Sequence, residues 1–305
     1  MSVRVLVIGG SYFLGRIFCT LASRQEDTEL TLLNLGRYPM THLPRLREYR
    51  CDRHDPLALA ELPGTEWDAA VDLCAYAPGD VSRLLDYLPG KVKRYILVST
   101  ADVCVRSPGV PLDEEAPLLT EPPREAAGDY AFQKRLLETE LRRECEKRGV
   151  SPVILRPAFI YGPYNYAPRE SWYIEKVVRG EALPVPSDGT GRFQTVYVKD
   201  AAEAIIACIR QDAARGQVFN LSAPEVLDYD AFIETLRAVS DRPFTTRSLT
   251  VAEALRDGVP LPFPLTAEES ELFDGSKLTR LLGLPYTPFR EGMEKTFRAF
   301  RSVYE

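Results

Sequence analysis

Short apolar runs alternate with helical patterns through the first two-thirds of the chain. The runs lie at residues 3–8, 29–34, 47–51, 69–74, 94–99 and 152–156. They are nearly continuous in apolar residues, which is typical of parallel strands that are covered on both faces. Strands of this kind, alternating with helices, predict a doubly wound α/β fold built on a parallel sheet.

The sequence changes character after residue 156. Proline and tyrosine become frequent and the helical stretches become shorter, yet residues 196–222 again have the pattern of a strand, a helix and a strand. We therefore expect two interleaved parts. Residues 1–156 plus about 196–222 are predicted to form the sheet domain, and residues 157–195 plus 223–305 a smaller C-terminal lobe.

The first predicted strand runs into a glycine-rich loop, Gly9-Gly10-Ser11-Tyr12-Phe13-Leu14-Gly15. An amphipathic helix is predicted to begin near Arg16. Glycine permits positive φ, and a helix N-terminus offers unpaired N–H groups to a pyrophosphate, so this context favours a Rossmann domain that binds a dinucleotide. Tyr12 occupies the place of the usual middle glycine, and its side chain must either point away from the phosphates or cover them.

The residues at the end of the second predicted strand do not decide between NAD and NADP. Asn34 stands where an acidic residue commonly reads the ribose, and Arg37 could pair with a 2′-phosphate. Asp52 is a candidate partner for the adenine amine. The further expected coenzyme contacts are Arg53, Leu73, Cys74, Ala75 and Ser99.

Tyr130 and Lys134 are four residues apart on a predicted helix, so their side chains share one face. A tyrosine has a pKa of roughly 10 in water. We expect the Lys134 ammonium and a positively charged nicotinamide to stabilise the phenolate, so that Tyr130 takes a hydroxyl proton while hydride passes to the coenzyme. Thr100 follows a predicted strand at the edge where ligands of such sheets bind, and its hydroxyl can hold the same substrate oxygen.

These motifs, followed by LRPAFIYGP, VYVKDAAEAI and a C-terminal FDGSKLTRLLG, resemble an extended short-chain dehydrogenase/reductase of the NAD-dependent epimerase/dehydratase family. The resemblance implies that Thr100, Tyr130 and Lys134 are the catalytic trio. It also implies that Pro157 and Ala158 face the nicotinamide, and that the C-terminal lobe holds the substrate, most often a nucleotide sugar. Since many members pair through two of their helices, a homodimer is a further implied partner.

The chain departs from this family near the substrate. Thr100 is followed by Ala101 and Asp102 instead of the Asp-Glu pair of the 4,6-dehydratases, which disfavours dehydration. Phe159 stands where many epimerases have asparagine, and Phe193 where an arginine usually grips the diphosphate. The expected substrate contacts are Asp102, Phe159, Asn165, Arg169, Trp172, Arg192 and Gln194.

Composition excludes some classes of partner. A formal net charge of −6 provides no basic surface for nucleic acid. The six cysteines are widely spaced, as in reduced cytoplasmic proteins, and no apolar run approaches the roughly 18 residues of a membrane span. His42 and His54 lack the spacing of metal ligands, so no metal site is expected.

Three functions are compatible with the sequence. The leading one is epimerisation of a nucleotide sugar through a transient keto intermediate, with no net redox change. The second is NAD(P)H-dependent reduction of a ketone or aldehyde. The third, from a different class, is a non-catalytic dinucleotide- or RNA-binding regulatory protein.

Overall fold

A computed structural model describes residues 2–107, 109–122 and 126–305. Its strands are β1 Val3–Ile8, β2 Thr28–Asn34, β3 Leu46–Arg50, β4 Glu66–Trp67, β5 Ala69–Asp72, β6 Lys91–Val92, β7 Arg94–Val98, β8 Ser151–Pro157, β9 Phe159–Tyr161, β10 Leu183–Pro186, β11 Thr195–Tyr197, β12 Val218–Leu221 and β13 Thr246–Leu249. Its helices are α1 Phe13–Ala22, α2 Pro56–Ala60, α3 Asp80–Tyr87, α4 Ala126–Arg148, α5 Glu170–Arg179, α6 Val198–Arg210, α7 Tyr229–Val239, α8 Val251–Arg256, α9 Ser276–Leu282 and α10 Phe289–Tyr304.

Seven strands form one sheet in the order β12-β8-β7-β5-β1-β2-β3, and every pair in it is parallel. Successive side chains of a strand point to opposite faces. Accordingly Val5 and Val7 pack on the side of α1 and α6, whereas Leu6 and Ile8 pack on the side of α3 and α4. The predicted doubly wound parallel sheet is confirmed.

Two sequence expectations differ from the structure in detail. β3 is an edge strand whose residues are exposed or half-buried, so the continuous apolar pattern does not extend to it. α1 begins at Phe13, three residues before the predicted start at Arg16. Gly15 therefore lies inside the helix, where its missing side chain allows close packing: a Cβ there would come within 2.6 Å of the Gly10 Cα.

The chain leaves the sheet after β8 and returns to it with β12. Between them α6 crosses over the sheet, while β9 pairs with β11 and β10 pairs with β13 outside it. α5, α7 and α10 pack against one another in the C-terminal part. We retain the division into residues 1–156 plus about 196–222, and 157–195 plus 223–305, as a proposal.

Candidate active site

The glycine loop joins β1 to α1 at the carboxyl edge of the sheet. Gly9 has φ +82°, and a Cβ there would lie 2.7 Å from Cys74 Sγ, so only glycine fits. No side chain caps the N-terminus of α1, and its first turn holds no acidic residue. The unpaired N–H groups and the helix dipole leave this end suited to an anion.

Tyr12 is the central ring of a three-tyrosine stack. Its ring lies 4.9 Å from that of Tyr38 at an interplanar angle of 8°, and 5.4 Å from that of Tyr166 at 24°. Tyr38 follows β2, whereas Tyr166 comes from the segment between β9 and α5. The side chain thus links three separate segments above the glycine loop.

Two adjoining cavities share Gly9, Tyr12, Cys74 and Tyr76 and have volumes of about 370 and 440 Å³. The first is lined by the predicted coenzyme contacts Gly9, Tyr12, Phe13, Leu14, Gly15, Leu73, Cys74, Ser99, Tyr130, Lys134, Pro157 and Ala158. The second is lined by Gly9, Ser11, Tyr12, Asn34, Arg37, Asp52, Arg53 and Cys74. Together they form a cleft on both sides of the glycine loop.

Gly10 and Ala75, also predicted as coenzyme contacts, line neither cavity. A Cβ on Gly10 would collide with the Val7 side chain at 2.6 Å, so this glycine serves the packing of α1 against the sheet. Ala75 is fully buried, and its carbonyl oxygen accepts a hydrogen bond of 2.7 Å from Lys134 Nζ. Neither residue lines the cleft: Gly10 allows the close packing of α1 on the sheet, and the Ala75 carbonyl holds Lys134.

At the far end of the second cavity, polar side chains are already paired. The Asn34 amide donates to Glu48 Oε1 at 2.8 Å, and its Oδ1 accepts from the Gly36 N–H at 2.7 Å. Asp52 Oδ1 accepts from the His54 N–H at 2.9 Å. Arg37 is exposed and lines the cavity, which leaves its guanidinium available to a phosphate.

Arg53 was predicted to bind the coenzyme, but its guanidinium is paired inside the protein. It donates to both carboxylate oxygens of Asp72, at 2.7 and 2.9 Å, and to the Asp80 carbonyl at 2.8 Å. Burial alone would raise the pKa of Asp72, but the charge and hydrogen bonds of Arg53, with a bond from Tyr95, hold the pKa below its usual value. We interpret Arg53 as a structural residue beneath the cleft.

Lys134 is buried on α4 and is fixed by two backbone carbonyls, Ala75 at 2.7 Å and Val98 at 2.9 Å. Its Nζ lies 5.7 Å from the Tyr130 ring centroid and 4.9 Å from that of Tyr76. Burial lowers the pKa of Lys134 to about 8.

The expected stabilisation of the Tyr130 phenolate involves both Lys134 and a positively charged nicotinamide, and it stays a prediction. Desolvation raises the pKa of Tyr130, and the charges at Tyr76 and Asp102 raise it further. Tyr130 is therefore a neutral phenol here, able to donate a hydrogen bond.

Thr100 lies two residues after the end of β7, and its hydroxyl donates to Asp102 Oδ2 at 3.0 Å. The oxygen of that hydroxyl still has acceptor capacity toward the first cavity, which it lines. Behind it, Ser99 Oγ donates to Glu138 at 2.7 Å, and Glu138 pairs with the buried Arg156 at 2.7 Å. This network fixes the strand end on which Thr100 stands.

Only some of the expected substrate contacts line the first cavity. Asp102, Phe159, Asn165 and Arg169 line the first cavity. The Arg169 guanidinium stacks on the Phe159 ring at 4.7 Å. Asn165, however, uses its amide on the buried Glu170 at 2.8 and 3.0 Å, so it mainly orders its own loop.

Trp172, Arg192 and Gln194 line neither cavity. Trp172 packs against the apolar core, and Arg192 is exposed elsewhere on the surface. Gln194 is buried; its amide donates to the Ala223 carbonyl at 2.7 Å, and its Oε1 accepts from the Phe273 N–H at 2.8 Å. Since both ends of that side chain are paired, the expectation of substrate contact is not supported for Gln194.

Several residues that line the cavities were not singled out by the sequence reasoning, among them Tyr38, Tyr76 and Glu271. Tyr76 follows β5, in the same way that Thr100 follows β7, so its position at a strand end was a usable signal. Tyr38 and Glu271 lie in loops whose approach to the cleft depends on tertiary packing.

Neither a metal site nor a membrane span is found among the described residues. In residues 2–107, 109–122 and 126–305, no group of three or more histidine, cysteine, aspartate or glutamate side chains is placed to hold a metal ion. Within the same ranges, no helix has the length and apolar character needed to cross a membrane.

The model of the family described as NAD dependent epimerase/dehydratase matches residues 5–222. The chain belongs to the NAD dependent epimerase/dehydratase family. The match runs from within β1 to the return of the chain with β12, so it covers nearly all of the main sheet and every residue that lines the cleft except Glu271. The predicted family is confirmed.

The curated relatives to which the chain is similar have names that denote different activities. The chain is 28% identical over 241 residues to the chloroplast stem-loop binding protein of 41 kDa b from Arabidopsis thaliana, covering 74% of this chain and 60% of that protein's length. It is 24% identical over 290 residues to the 2'-dehydrokanamycin reductase of Streptomyces kanamyceticus, covering 92% of this chain and 79% of the reductase.

The fold also matches solved structures along the full chain. The UDP-glucuronic acid 4-epimerase of Bacillus cereus, in complex with NAD, superposes with a TM-score of 0.76 at 18% sequence identity. The superposition covers 99% of this chain and 100% of the epimerase. At this identity the likeness shows the fold alone.

Proposed function

We propose that this family member is an NAD(P)-dependent enzyme that exchanges hydride at a secondary alcohol of a sugar, with Tyr130, Lys134 and Thr100 as its catalytic trio. The observation that carries the proposal is their arrangement: all three line one cavity that continues into the glycine-loop cleft. If these three residues served only the stability of the fold, Tyr130 would not need to line a cavity.

The cleft fits a dinucleotide. Gly9 leaves room where a side chain would meet Cys74, and the uncapped start of α1 offers N–H groups to a pyrophosphate. Cavities on both sides of this loop supply space for the two nucleoside ends. A nicotinamide bound here would supply or accept the hydride and, in its oxidised form, would add a positive charge to the site.

Thr100, Tyr130 and Lys134 each have a different part in the proton transfer. Thr100 Oγ1 accepts a hydrogen bond from the substrate hydroxyl, while its own O–H donates to Asp102 Oδ2. As the phenolate, Tyr130 Oη takes the carbinol proton during oxidation, and as the phenol it returns that proton during reduction. Lys134 is held in place by the Ala75 and Val98 carbonyls and supplies a positive charge near the Tyr130 ring.

Epimerisation of a nucleotide sugar is the reaction we favour. The solved relative of Bacillus cereus is a UDP-glucuronic acid 4-epimerase bound to NAD, and its fold matches the whole chain. The first cavity has a mixed lining of aromatic and carboxylate side chains, including Phe159, Asp102 and Glu271, which suits a polyhydroxylated ring.

Simple reduction is the second candidate, and the observation in its favour is the relative named as a 2'-dehydrokanamycin reductase, which aligns over 92% of this chain. Mass spectrometry of the small molecule released from denatured protein tests the choice. Recovery of tightly held NAD(H) supports an epimerase that recycles its coenzyme. Protein that purifies empty and binds NADPH preferentially, with sustained consumption of it, overturns epimerisation in favour of reduction.

The likeness to a chloroplast stem-loop binding protein favours a third candidate, a non-catalytic regulatory protein. The chain spans 60% of that relative's length, and its formal net charge is −6. Under this candidate, Tyr130→Phe leaves cellular function unchanged. Loss of function in that variant overturns it.

Replacement of Arg37 by alanine is expected to weaken NADP(H) binding by about 10-fold or more, because a charge-assisted hydrogen bond to the 2′-phosphate is lost. NAD(H), which has no 2′-phosphate, should bind almost as before. Calorimetric titration of both coenzymes measures the difference. Equal weakening of the two would show that Arg37 does not read the 2′ position.

Replacement of Tyr166 by alanine is expected to speed dinucleotide release by about 3- to 10-fold, since one stacked contact with Tyr12 is removed. Stopped-flow displacement of bound coenzyme measures the rate. Tyr166→Phe keeps the ring and is the matched control, expected to release at the wild-type rate. If Tyr166→Ala also releases the coenzyme at the wild-type rate, the three-tyrosine stack does not retain the coenzyme.

A further inference from the structure

His54 lies between two carboxylates that come from different parts of the chain. It stands in the loop between β3 and α2, lines the second cavity, and is half-exposed. Its Nδ1 lies 3.0 Å from Asp52 Oδ1, and its Nε2 lies 2.9 Å from Oδ1 of Asp80, the first residue of α3. The ring therefore connects the loop after β3 to the start of α3.

Both ring nitrogens of His54 carry a proton when both contacts are made. Hydrogen bonds from the backbone and the side chain of His54 hold the pKa of Asp52 below its usual value. Burial alone would raise the pKa of Asp80, but hydrogen bonds from the Tyr76 N–H and from His54 outweigh it and lower that pKa. Two ionised carboxylates only accept, whereas a neutral imidazole has one donor and one acceptor nitrogen. The bridge is thus complete only with an imidazolium.

The two carboxylates differ in how firmly they are held. The Asp80 side chain is 7% exposed, and its Oδ2 accepts from the Tyr76 and Ala77 N–H groups at 2.8 and 3.2 Å. The Asp52 side chain is 57% exposed. Both hydrogen bonds from His54 go to the same oxygen of Asp52, Oδ1, so Oδ2 can accept from another donor. His54 thus links a fixed, buried carboxylate to an exposed one that lines the second cavity.

Titratable and charged side chains reach this region from the His54 loop, from α3 and from the rest of the second cavity: Asp52, Arg53, Asp55, Asp80, Arg37, Tyr38, Cys51, Cys74 and Tyr76. Burial raises the pKa of the two thiols and of Tyr76, so these three groups stay neutral. Arginine keeps its charge throughout, whereas histidine is the side chain type whose charge changes between about pH 5 and 8. The bridge should therefore open as pH rises through this range.

We propose that His54 is a positioning residue for coenzyme binding: anchored on Asp80, its imidazolium holds Asp52 where that carboxylate accepts a hydrogen bond from the adenine amine. This role rests on the coenzyme part of the proposed function, whichever sugar reacts. Loss of one ring proton leaves a single donor for two carboxylates. The donor stays with Asp80, because an unpaired buried carboxylate costs more than an exposed one, and Asp52 is released to solvent.

A change of one group on the coenzyme tests this role. Calorimetric titration compares NAD⁺ with nicotinamide hypoxanthine dinucleotide, whose base has an oxygen in place of the amine, at about pH 5.5 and about pH 8. Lys134, which lines the first cavity and has a pKa of about 8, meets the same nicotinamide half in both dinucleotides. The ratio of the two Kd values therefore reports the adenine end alone.

In the wild type, the preference for NAD⁺ over the hypoxanthine dinucleotide should fall by about 5- to 10-fold between the lower and the higher pH, because the charge-assisted hold on Asp52 is lost. His54→Gln has a neutral side chain of similar reach. Its preference should not change with pH and should match that of the wild type at the higher pH. The matched control is His42→Gln, which changes the other histidine of the chain, exposed on a turn, and should keep the wild-type change.

A preference that is the same at both pH values in the wild type, or a wild-type change in His54→Gln, overturns the proposal and leaves the proposed function standing. If neither dinucleotide binds at either pH, the coenzyme part of the proposed function fails instead. A measurement without coenzyme then judges the bridge by itself.

That measurement is a double-mutant cycle on the thermal midpoints of wild type, Asp52→Asn, His54→Gln and the double variant. At the lower pH we expect the two substitutions to depart from additivity by about 1–2 °C, and at the higher pH by clearly less. Such a difference supports the bridge. Additivity at both pH values means that His54 does not hold Asp52, and the proposal falls.

Discussion

Replacement of Tyr130 by phenylalanine is expected to lower kcat by about 10²–10⁴-fold, while the dinucleotide still binds. The change removes one oxygen atom and keeps the ring that lines the cavity beside Lys134. Because desolvation raises the pKa of Tyr130, we expect this phenol to be the proton donor when hydride returns to a carbonyl. Loss of that donor should reduce the chemical step and not the binding of coenzyme.

Single-turnover oxidation or reduction of the coenzyme, followed by its absorbance, separates the two effects. Tyr76→Phe is an informative comparison, since Tyr76 also lines the cavity and its ring is nearer to Lys134 Nζ, at 4.9 Å. We expect it to lose much less activity. A loss below about 10-fold in Tyr130→Phe, with a larger one in Tyr76→Phe, would assign the proton transfer to Tyr76.

The part of the site that could be predicted from sequence lies at the ends of strands. In a parallel sheet all carboxyl ends meet at one edge, so Gly9 after β1, Cys74 after β5 and Thr100 after β7 are brought together by chain order alone. Tyr130 and Lys134 needed only helical spacing to share a face. Local periodicity was therefore enough for the sheet and for most of the cleft.

The rest depended on contacts between distant segments. Tyr166 and Tyr38 meet across Tyr12, although they lie in loops after different strands, and no local pattern gives the approach of such loops. Glu271 needs the return of the C-terminal segment beside Arg192 and Gln194. For the same reason Gln194 looked like a substrate contact, because its pairing with Ala223 and Phe273 is invisible in the sequence.

Arg53 is a residue that sequence reasoning assigned to the coenzyme and that the structure pairs with Asp72. Its replacement is the second change with a large expected effect. Arg53→Met should destabilise the protein by about 3–5 kcal/mol, because it leaves the Asp72 carboxylate buried without its cation. Asp72 is fully buried, and its remaining side-chain partner is the Tyr95 hydroxyl at 2.5 Å. Urea unfolding followed by circular dichroism measures the loss.

Two controls make this result specific. Arg47→Met changes an exposed arginine on β3 and should leave stability within about 0.5 kcal/mol of wild type. Adding Asp72→Asn to Arg53→Met removes the unpaired charge, so the double variant should regain part of the loss. If Arg53→Met instead unfolds like wild type but binds the dinucleotide poorly, the interpretation from sequence was right, and the guanidinium leaves Asp72 to contact the coenzyme.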